Sequence, residues 1–363
     1  MTTEVMRPVS SRTAVFHSLT VTSVERLCDD AAAVTFAVPA ELTEQYQFRP
    51  GQSLTLRRTI NGREQRRSYS ICAPAGSAPR VGVRTVPDGV FSTWLVNEVR
   101  PGDRVEVAPP TGSFTLDPSR GGRHVLIAAG SGITPMISIA ASLLANPQAS
   151  VTLLYGNRRT NTVMFAEDLA DLKDLYGPRF DLVHVLSREP REVELFSGRL
   201  DAQRIELILR SLVPIKAVDG FWLCGPFEMV TSAQATLVGL GVPAENVHAE
   251  LFYVDDVPPV PVRHLDGTFD GPASTVTVTL DGRSTRLRLP RDYPLLDSAQ
   301  QTRSDLPFAC KGGVCGTCRA KVISGEVDMR RNYALEPREV DTGFILTCQS
   351  YPVSNELVID FDS

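Results

Sequence analysis

The sequence predicts a multidomain chain that is β, then α/β, then α+β: an antiparallel β-barrel, a parallel α/β domain and a small mixed domain. Three observations carry that reading. From "FHSLTVTSVERL" to "GSFTL" the chain is a series of short strands rich in Val, Thr and Arg, broken by Pro-Gly and Asn-Gly turns. Examples are "FRPGQSLTLRRTINGREQRRSYSI" and "VRPGDRVEVAPP", and short strands at regular spacing point to an antiparallel barrel. Apolar runs then alternate with amphipathic stretches. "HVLIAAG", "SVTLLYGN", "LVHVLSRE", "GFWLCGP" and "NVHAELF" are interleaved with segments such as "FAEDLADLKDLYG" and "FEMVTSAQATLVGLG". That grammar gives a parallel sheet covered on both faces. Last, "TVTVTLDGRSTRLRL" reads as a hairpin on an Asp-Gly turn, and the chain closes on a strand, "ELVIDF".

A chain of 363 residues, 42% hydrophobic and 22% charged, is an ordinary globular sequence too long for one core. We place a loose tail at 1–13, the barrel at 14–118, the α/β domain at 119–252 and the last domain at 273–363. Between them, 253–272 is dense in Pro, Asp and Gly and reads as a linker. There is no internal repeat. A net charge of −5 argues against a nucleic-acid partner, which calls for a basic face. The opening "MTTEVMRPVSSRTAVF" has no apolar core of signal-peptide length, so export is not expected. The uncharged run "VLIAAGSGITPMISIAASLLA" at 125–145 imitates a membrane span. Its centre, Gly-Ser-Gly-Ile-Thr-Pro, marks a turn and a helix start, so a buried strand and a buried helix are expected, not a membrane segment.

The seven cysteines are Cys28, Cys72, Cys224, Cys310, Cys315, Cys318 and Cys348. An odd, scattered set without a signal peptide fits a reduced, cytoplasmic protein. Cys310, Cys315 and Cys318 follow C-x4-C-x2-C in "FACKGGVCGTC", and Cys348 in "FILTCQS" supplies a fourth thiol. This is the spacing of plant-type [2Fe–2S] ferredoxins. Gly312, Gly313 and Gly316 let the backbone curl round an inorganic core and offer amides to its sulfur atoms. Structural zinc is the competing reading, but zinc favours paired C-x2-C knuckles and only one is present, with no histidine nearby. Cys28 and Cys72 are expected to be buried structural thiols.

A redox centre needs a donor, and two upstream motifs offer one. "RRSYSI" holds Arg67, Tyr69 and Ser70, and "DGVFSTWL" holds Gly89, Ser92 and Thr93 in a Gly-x-x-Ser turn. "AAGSGITPM" follows a strand with Gly130 and Gly132 placed for close approach of a dinucleotide, and Thr134 and Pro135 suit an N-cap and first helical position. With the barrel before them and the α/β domain around them, these motifs resemble the ferredoxin–NADP reductase superfamily over about 14–252. The last domain resembles plant-type ferredoxin, which implies a β-grasp fold.

The resemblance implies roles. Arg67 pairs with the FAD pyrophosphate, Tyr69 lies against the isoalloxazine, and the Ser70 hydroxyl reaches the flavin N5 region. Amides around Gly89, Ser92 and Thr93 form a phosphate nest. Gly130, Gly132 and Thr134 make the nicotinamide-side loop, and Cys224 in "CGP" sits near the nicotinamide. Glu250 and Phe252 in "AELF" close over the flavin. Ser187 and Arg188 in "LSRE" match a 2′-phosphate site, which favours NADPH over NADH; a ribose-binding acid would favour NADH. Glu245 and His248 in "ENVH" have the spacing of a di-iron ligand pair. That chemistry needs a second such motif on a helical bundle, so the match is coincidental.

The order flavin, nicotinamide, ferredoxin is that of reductase components of multicomponent oxygenases. The implied route is NADPH to FAD to [2Fe–2S], then to a di-iron oxygenase on another chain. The reductase of a ketosteroid hydroxylase or of a ring-hydroxylating dioxygenase is an alternative within that group. From another class, an iron–sulfur redox-sensing regulator would need a DNA-reading element, and the sequence has no helix-turn-helix or basic patch.

Overall fold

The computed structural model describes residues 15–60, 63–87, 89–252, 272–335 and 337–363. The expected tail at 1–13 and nearly all of the linker, 253–271, lie outside the described residues. The barrel and the parallel sheet belong to one compact unit, and the C-terminal residues form another.

Six strands build the barrel: β1 (His17–Cys28), β2 (Ala31–Ala37), β3 (Ser53–Ile60), β4 (Arg63–Ser70), β5 (Arg80–Arg84) and β6 (Arg104–Val107). They pair antiparallel in the order β4-β3-β6-β1-β2-β5. The two edges meet where Ile71 bridges Val81 and the Cys72 N–H donates to the Arg80 carbonyl at 2.8 Å. That contact curls the sheet toward closure. Alternation along the strands sends Leu19, Phe36, Leu54, Leu56 and Val81 inward, and helix α1 (Val90–Asn97) adds Phe91, Leu95 and Val96 to the same core.

The second sheet alternates strand and helix: β7 (Gly122–Ala129), α2 (Ile133–Leu144), β8 (Ala149–Asn157), α3 (Ala166–Tyr176), β9 (Phe180–Leu186), α4 (Ala202–Leu212), β10 (Gly220–Gly225), α5 (Phe227–Gly239) and β11 (Val247–Leu251). All pairs are parallel, in the order β11-β10-β7-β8-β9. The strand order reverses between β7 and β10, the place where open α/β sheets bind ligands beyond the carboxyl ends of their strands.

The uncharged run at 125–145 resolves into β7 and α2. Eleven of the twelve residues of α2 are buried, because the helix packs on the sheet with one side and on the barrel with the other. The Ser138 hydroxyl donates to the Ala73 carbonyl at 2.6 Å, and Ser142 Oγ accepts from the Ala75 N–H at 2.9 Å. Gly82 of β5 admits the helix: a Cβ there would meet Thr134 Cγ2 at 2.6 Å and the Phe165 ring at 2.7 Å. Among the described residues no helix is long and apolar enough to cross a membrane.

The C-terminal unit contains β12 (Ala273–Leu280), β13 (Arg283–Pro290), α6 (Leu295–Ala299), β14 (Arg319–Ser324), β15 (Val327–Met329), α7 (Pro337–Asp341), β16 (Phe344–Leu346), β17 (Ser350–Pro352) and β18 (Glu356–Asp360). Its main sheet runs β13-β12-β18-β14-β16, with β18 inserted parallel to β12. A hairpin, a helix across it and a last strand laid beside the first are the β-grasp arrangement. The hairpin turns at Asp281 and Gly282, both at positive φ, as an Asp-Gly turn requires. Both N–H groups donate to the Asp362 carboxylate at 2.8 Å.

Ser138→Ala removes a buried donor and strands the Ala73 carbonyl. It should lower the stability of the first unit by about 1–3 kcal/mol, read as a lower urea midpoint with an unchanged slope. Ser138→Thr, which keeps the hydroxyl, should lose less.

Candidate flavin, nucleotide and cluster sites

The end of β4 presents the barrel's chemistry. Strand alternation puts Arg67 and Tyr69 on one face and Ser68 and Ser70 on the other. Arg67 is exposed, with one guanidinium nitrogen on the Arg66 carbonyl at 2.7 Å. Tyr69 is half-buried, its ring centroid 6.3 Å from that of Phe91. Gly89, Ser92 and Thr93 do not make the expected turn nest; they begin α1, with Gly89 as N-cap. The Gly89 N–H bonds to Val86 and the Thr93 N–H to Gly89, while buried Ser92 turns its hydroxyl inward to accept from the Val86 N–H at 3.1 Å. Among the described residues no side chain caps this terminus, where the first-turn amides are those of Val90, Phe91 and Ser92. An uncapped helix start suits a phosphate as well as a nest does.

Three distant residues converge beyond the strand ends. Ser70 Oγ donates to Glu250 Oε2 at 3.4 Å, across 180 residues of sequence. Cys224 of β10 is the register partner of Glu250 on β11. Protein packed round the Glu250 carboxyl strips it of water and pushes its pKa up to about 8, against a smaller opposing pull from the Ser70 hydroxyl. Cys224 is fully buried, so its thiol is held well above the ordinary range, first by burial and then by Glu250. Phe252, just past β11, packs against the core that includes α2.

The glycine loop lies against this group. A Cβ on Gly132 would sit 2.1 Å from the Cys224 carbonyl oxygen, so only glycine lets the loop cross the end of β10. Gly130 takes a φ of 55° and its carbonyl accepts from Tyr155 Oη at 3.0 Å. Thr134 and Pro135 fall deeper in the helix than expected. The Gly130–Gly132 turn is already 3-10 helical and runs directly into α2, so Gly132 is the N-cap. Pro135 still lies in the first turn, where a missing N–H costs nothing, and Thr134 Oγ1 donates to the Ser131 carbonyl at 3.0 Å.

Ser187 and Arg188 follow directly on β9. Their N–H groups extend the ladder to the carbonyls of Asn157 and Arg158 at 2.9 and 2.8 Å. Arg158 and Arg188 are both exposed and stand side by side at neighbouring strand ends. The nearest acid, Glu189, accepts from the Thr160 N–H and Oγ1 at 2.8 and 2.7 Å. Those bonds hold its pKa below the usual carboxylate range. Elsewhere, Glu245 lies in a 3-10 turn and His248 on β11 stacks on Trp222 at 4.2 Å. Cys72 is buried as expected, but Cys28 is only half-buried, because its position at the end of β1 leaves it beside Asp30 and Arg84 rather than in the core.

The four remaining thiols come together as two pairs. Cys310 interacts with Cys315, and Cys318 with Cys348. The first pair is half-buried and the second buried. The Cys310 thiol is held below its ordinary range, first by Cys315 and then by backbone donors at Gly312, Val314 and Cys315. Gly313 and Gly316 supply the positive φ values, 82° and 67°, that aim these amides inward. Gln349 ties the loop to the last thiol, donating from Nε2 to the carbonyls of Lys311 and Cys348 at 2.8 and 2.9 Å. Among the described residues no three His, Cys, Asp or Glu side chains gather as ligands to one ion. Two thiol pairs are what a centre with two irons, each taking two thiolates, requires. The residues missed in the sequence are those that hold the motifs, Tyr155 and Gln349, since nothing in their neighbourhood sets them apart.

Three family descriptions match in order along the chain: an oxidoreductase FAD-binding domain at 18–116, an oxidoreductase NAD-binding domain at 126–235 and a 2Fe-2S iron-sulfur cluster binding domain at 278–353. The protein is thus a flavin and iron–sulfur oxidoreductase that uses a pyridine nucleotide. A component of the 1,2-phenylacetyl-CoA epoxidase of Escherichia coli is 42% identical over 354 residues, 96% of this chain and 98% of that one. The ferredoxin reductase component of 3-ketosteroid-9-alpha-monooxygenase from Rhodococcus rhodochrous is 36% identical, covering 99% of this chain and 100% of that one. The chain belongs to the family of oxygenase reductase components that includes these two. Among solved structures, phthalate dioxygenase reductase shares the fold, with a TM-score of 0.59 at 24% identity over 95% of this chain and 98% of that one.

The raised pKa of Glu250 fixes a sign. A carboxyl with a folded pKa of about 8, against an unfolded value of about 4.3, binds more protons folded than unfolded between those values. Its contribution to stability is full below the unfolded pKa and is lost as pH rises through the folded one. In flavin-free protein, wild type should therefore lose stability relative to Glu250→Gln between about pH 4.3 and 8. Parallel denaturation curves at several pH values check this.

Proposed function

We propose that this chain is the reductase component of a ring-1,2-phenylacetyl-CoA epoxidase, carrying electrons from NADPH through FAD and a [2Fe–2S] centre to a di-iron oxygenase on separate chains. One observation carries the reading: Ser70, Cys224 and Glu250 converge at the switch point of the α/β sheet in a chain that also holds two thiol pairs. The substrate assignment leans on the 42% identity to the epoxidase component across 96% of the chain. The 36% identity to the ketosteroid monooxygenase reductase supports the second reading, in which the same electron route serves a ketosteroid hydroxylase.

FAD accepts two electrons as hydride and releases them singly, which the one-electron cluster requires. The chain's part is to bind, orient and manage protons. Arg67 and the first-turn amides of α1 hold the pyrophosphate. Tyr69, packed beside Phe91, gives the ring a face to lie on. Glu250, with a pKa of about 8, is largely protonated at neutral pH and holds its proton beside the Ser70 hydroxyl, which would face the flavin ring. Cys224 stays a neutral thiol, so it places an uncharged wall beside the nicotinamide and does not compete as a nucleophile. Phe252 covers the site and excludes water. Gly130, Gly132 and Thr134 bring the nucleotide close to β10, and Ser187 with Arg188 reads the 2′-phosphate. Cys310, Cys315, Cys318 and Cys348 hold the cluster.

Purified protein should contain one FAD and two irons per chain. Cys315→Ala should lose the iron and keep the flavin. That variant should still reduce ferricyanide with NADPH, yet fail to drive the oxygenase. Full oxygenase turnover by the iron-free variant would remove the cluster from the route.

Charge-assisted hydrogen bonds contribute about 1.5–3 kcal/mol each. Arg188→Ala should therefore cut kcat/KM for NADPH roughly tenfold to a hundredfold and leave that for NADH almost unchanged. Equal losses for both nucleotides would make Arg188 a support of the fold, not a reader of the phosphate.

A further inference from the structure

Lys311, next to the first thiol of the cysteine loop, holds a left-handed backbone with φ 52°. Such a conformation costs a side-chain-bearing residue about 1–2 kcal/mol, and a loop already rich in glycine has no evident need to place a lysine there. The side chain is anchored. Its Nζ lies 2.7 Å from Asp297 Oδ1 and 2.8 Å from Gln300 Oε1, at and just past α6. The ammonium also sits 4.6 Å from the centroid of the Phe308 ring. The lysine and aspartate side chains are only 20% and 19% exposed, so bulk water screens the pair little. From the other side, Gln349 holds the Lys311 carbonyl and links it to Cys348.

We propose that Lys311 is a positioning residue for the Cys310 thiolate and that the charges of Lys311 and Asp297 act on the reduction potential of the cluster in opposite directions. The inference rests on the reading that the four cysteines hold a [2Fe–2S] centre. Reduction adds one negative charge to that centre. A partly desolvated cation carried by the residue next to a ligand thiol favours the reduced form and a carboxylate disfavours it; in the intact pair the two effects offset. The pinned backbone at Lys311 also fixes the amides that follow, including the Gly312 N–H that donates to Cys310 Sγ at 3.3 Å.

The test is a spectroelectrochemical titration of the full-length holoprotein, following the EPR signal of the reduced cluster and using the flavin couple as an internal reference. Asp297→Asn leaves the cation alone and should move the cluster potential in the positive direction. Lys311→Met leaves the carboxylate alone and should move it in the negative direction. The double variant should return toward wild type, and Lys311→Arg should stay close to it. Single variants that both move the same way, or that do not move, would overturn the proposal, since mere loosening of the loop has no reason to follow the sign of the charge removed. If Lys311→Met loses its iron, Asp297→Asn decides alone: a positive shift upholds the proposal and any other result overturns it. Failure of the underlying reading is distinct, because wild-type protein would then lack iron.

Discussion

The placement of α2 between the barrel and the parallel sheet is the constraint on which the candidate flavin and nucleotide sites depend. The helix is buried nearly all round, and its two serines reach back to the barrel backbone at Ala73 and Ala75. Those bonds fall one turn apart on the same helix face, so they fix both the distance and the rotation of the helix against the strands. Arg80 adds a second tie, bonding Asp168 on α3 at 2.8 Å from its place on β5. With these contacts made, the end of β4 and the end of β11 have no freedom to part, and Ser70 meets Glu250. The Ser70–Glu250 contact is thus supported by packing some distance away.

The same packing accounts for the electrostatics. Glu250 and Cys224 are neighbours on adjacent strands, and two ionised groups there would repel in a setting poor in water. Burial keeps both protonated near neutral pH. The result is a polar but uncharged cluster at the ends of these strands. The charged side chains of Arg67, Arg158 and Arg188, by contrast, are exposed.

Much of this is legible in the sequence, and the reasons are local. Hydrophobic alternation and Asp-Gly or Pro-Gly turns report strands directly, and the cysteine spacing states its own ligand count. The misses share a cause. A cap preference misplaces Thr134, because the 3-10 turn before α2 moves the helix start to Ile133, and the stretch read as a Gly-x-x-Ser turn is itself a helix start. Residue type alone sends Cys28 to the core, but exposure is decided by where β1 ends. Lys311 carries no warning at all, because the partners of its side chain, Asp297 and Gln300, lie at and just past a helix well before it in the sequence. Boundaries and strain depend on tertiary partners that a motif does not contain.

The long gap between Cys318 and Cys348 has a structural answer of the same kind. Cys318 immediately precedes β14, and Cys348 lies two residues after β16. These strands pair antiparallel, with Arg319 opposite Leu346, Ala320 opposite Ile345 and Lys321 opposite Phe344. The register therefore delivers the two thiols to the same end of the same ladder. The Thr347 N–H and hydroxyl both donate to the Cys318 carbonyl, at 3.2 and 2.9 Å, and lock that end. What lies between, β15, α7 and their turns, can vary in length without moving either thiol, as long as the register holds. A slip of one residue would turn one thiol to the opposite face of the sheet and leave the second thiol pair incomplete. The C-x4-C-x2-C part of the motif is fixed by loop geometry, and the fourth cysteine by strand pairing.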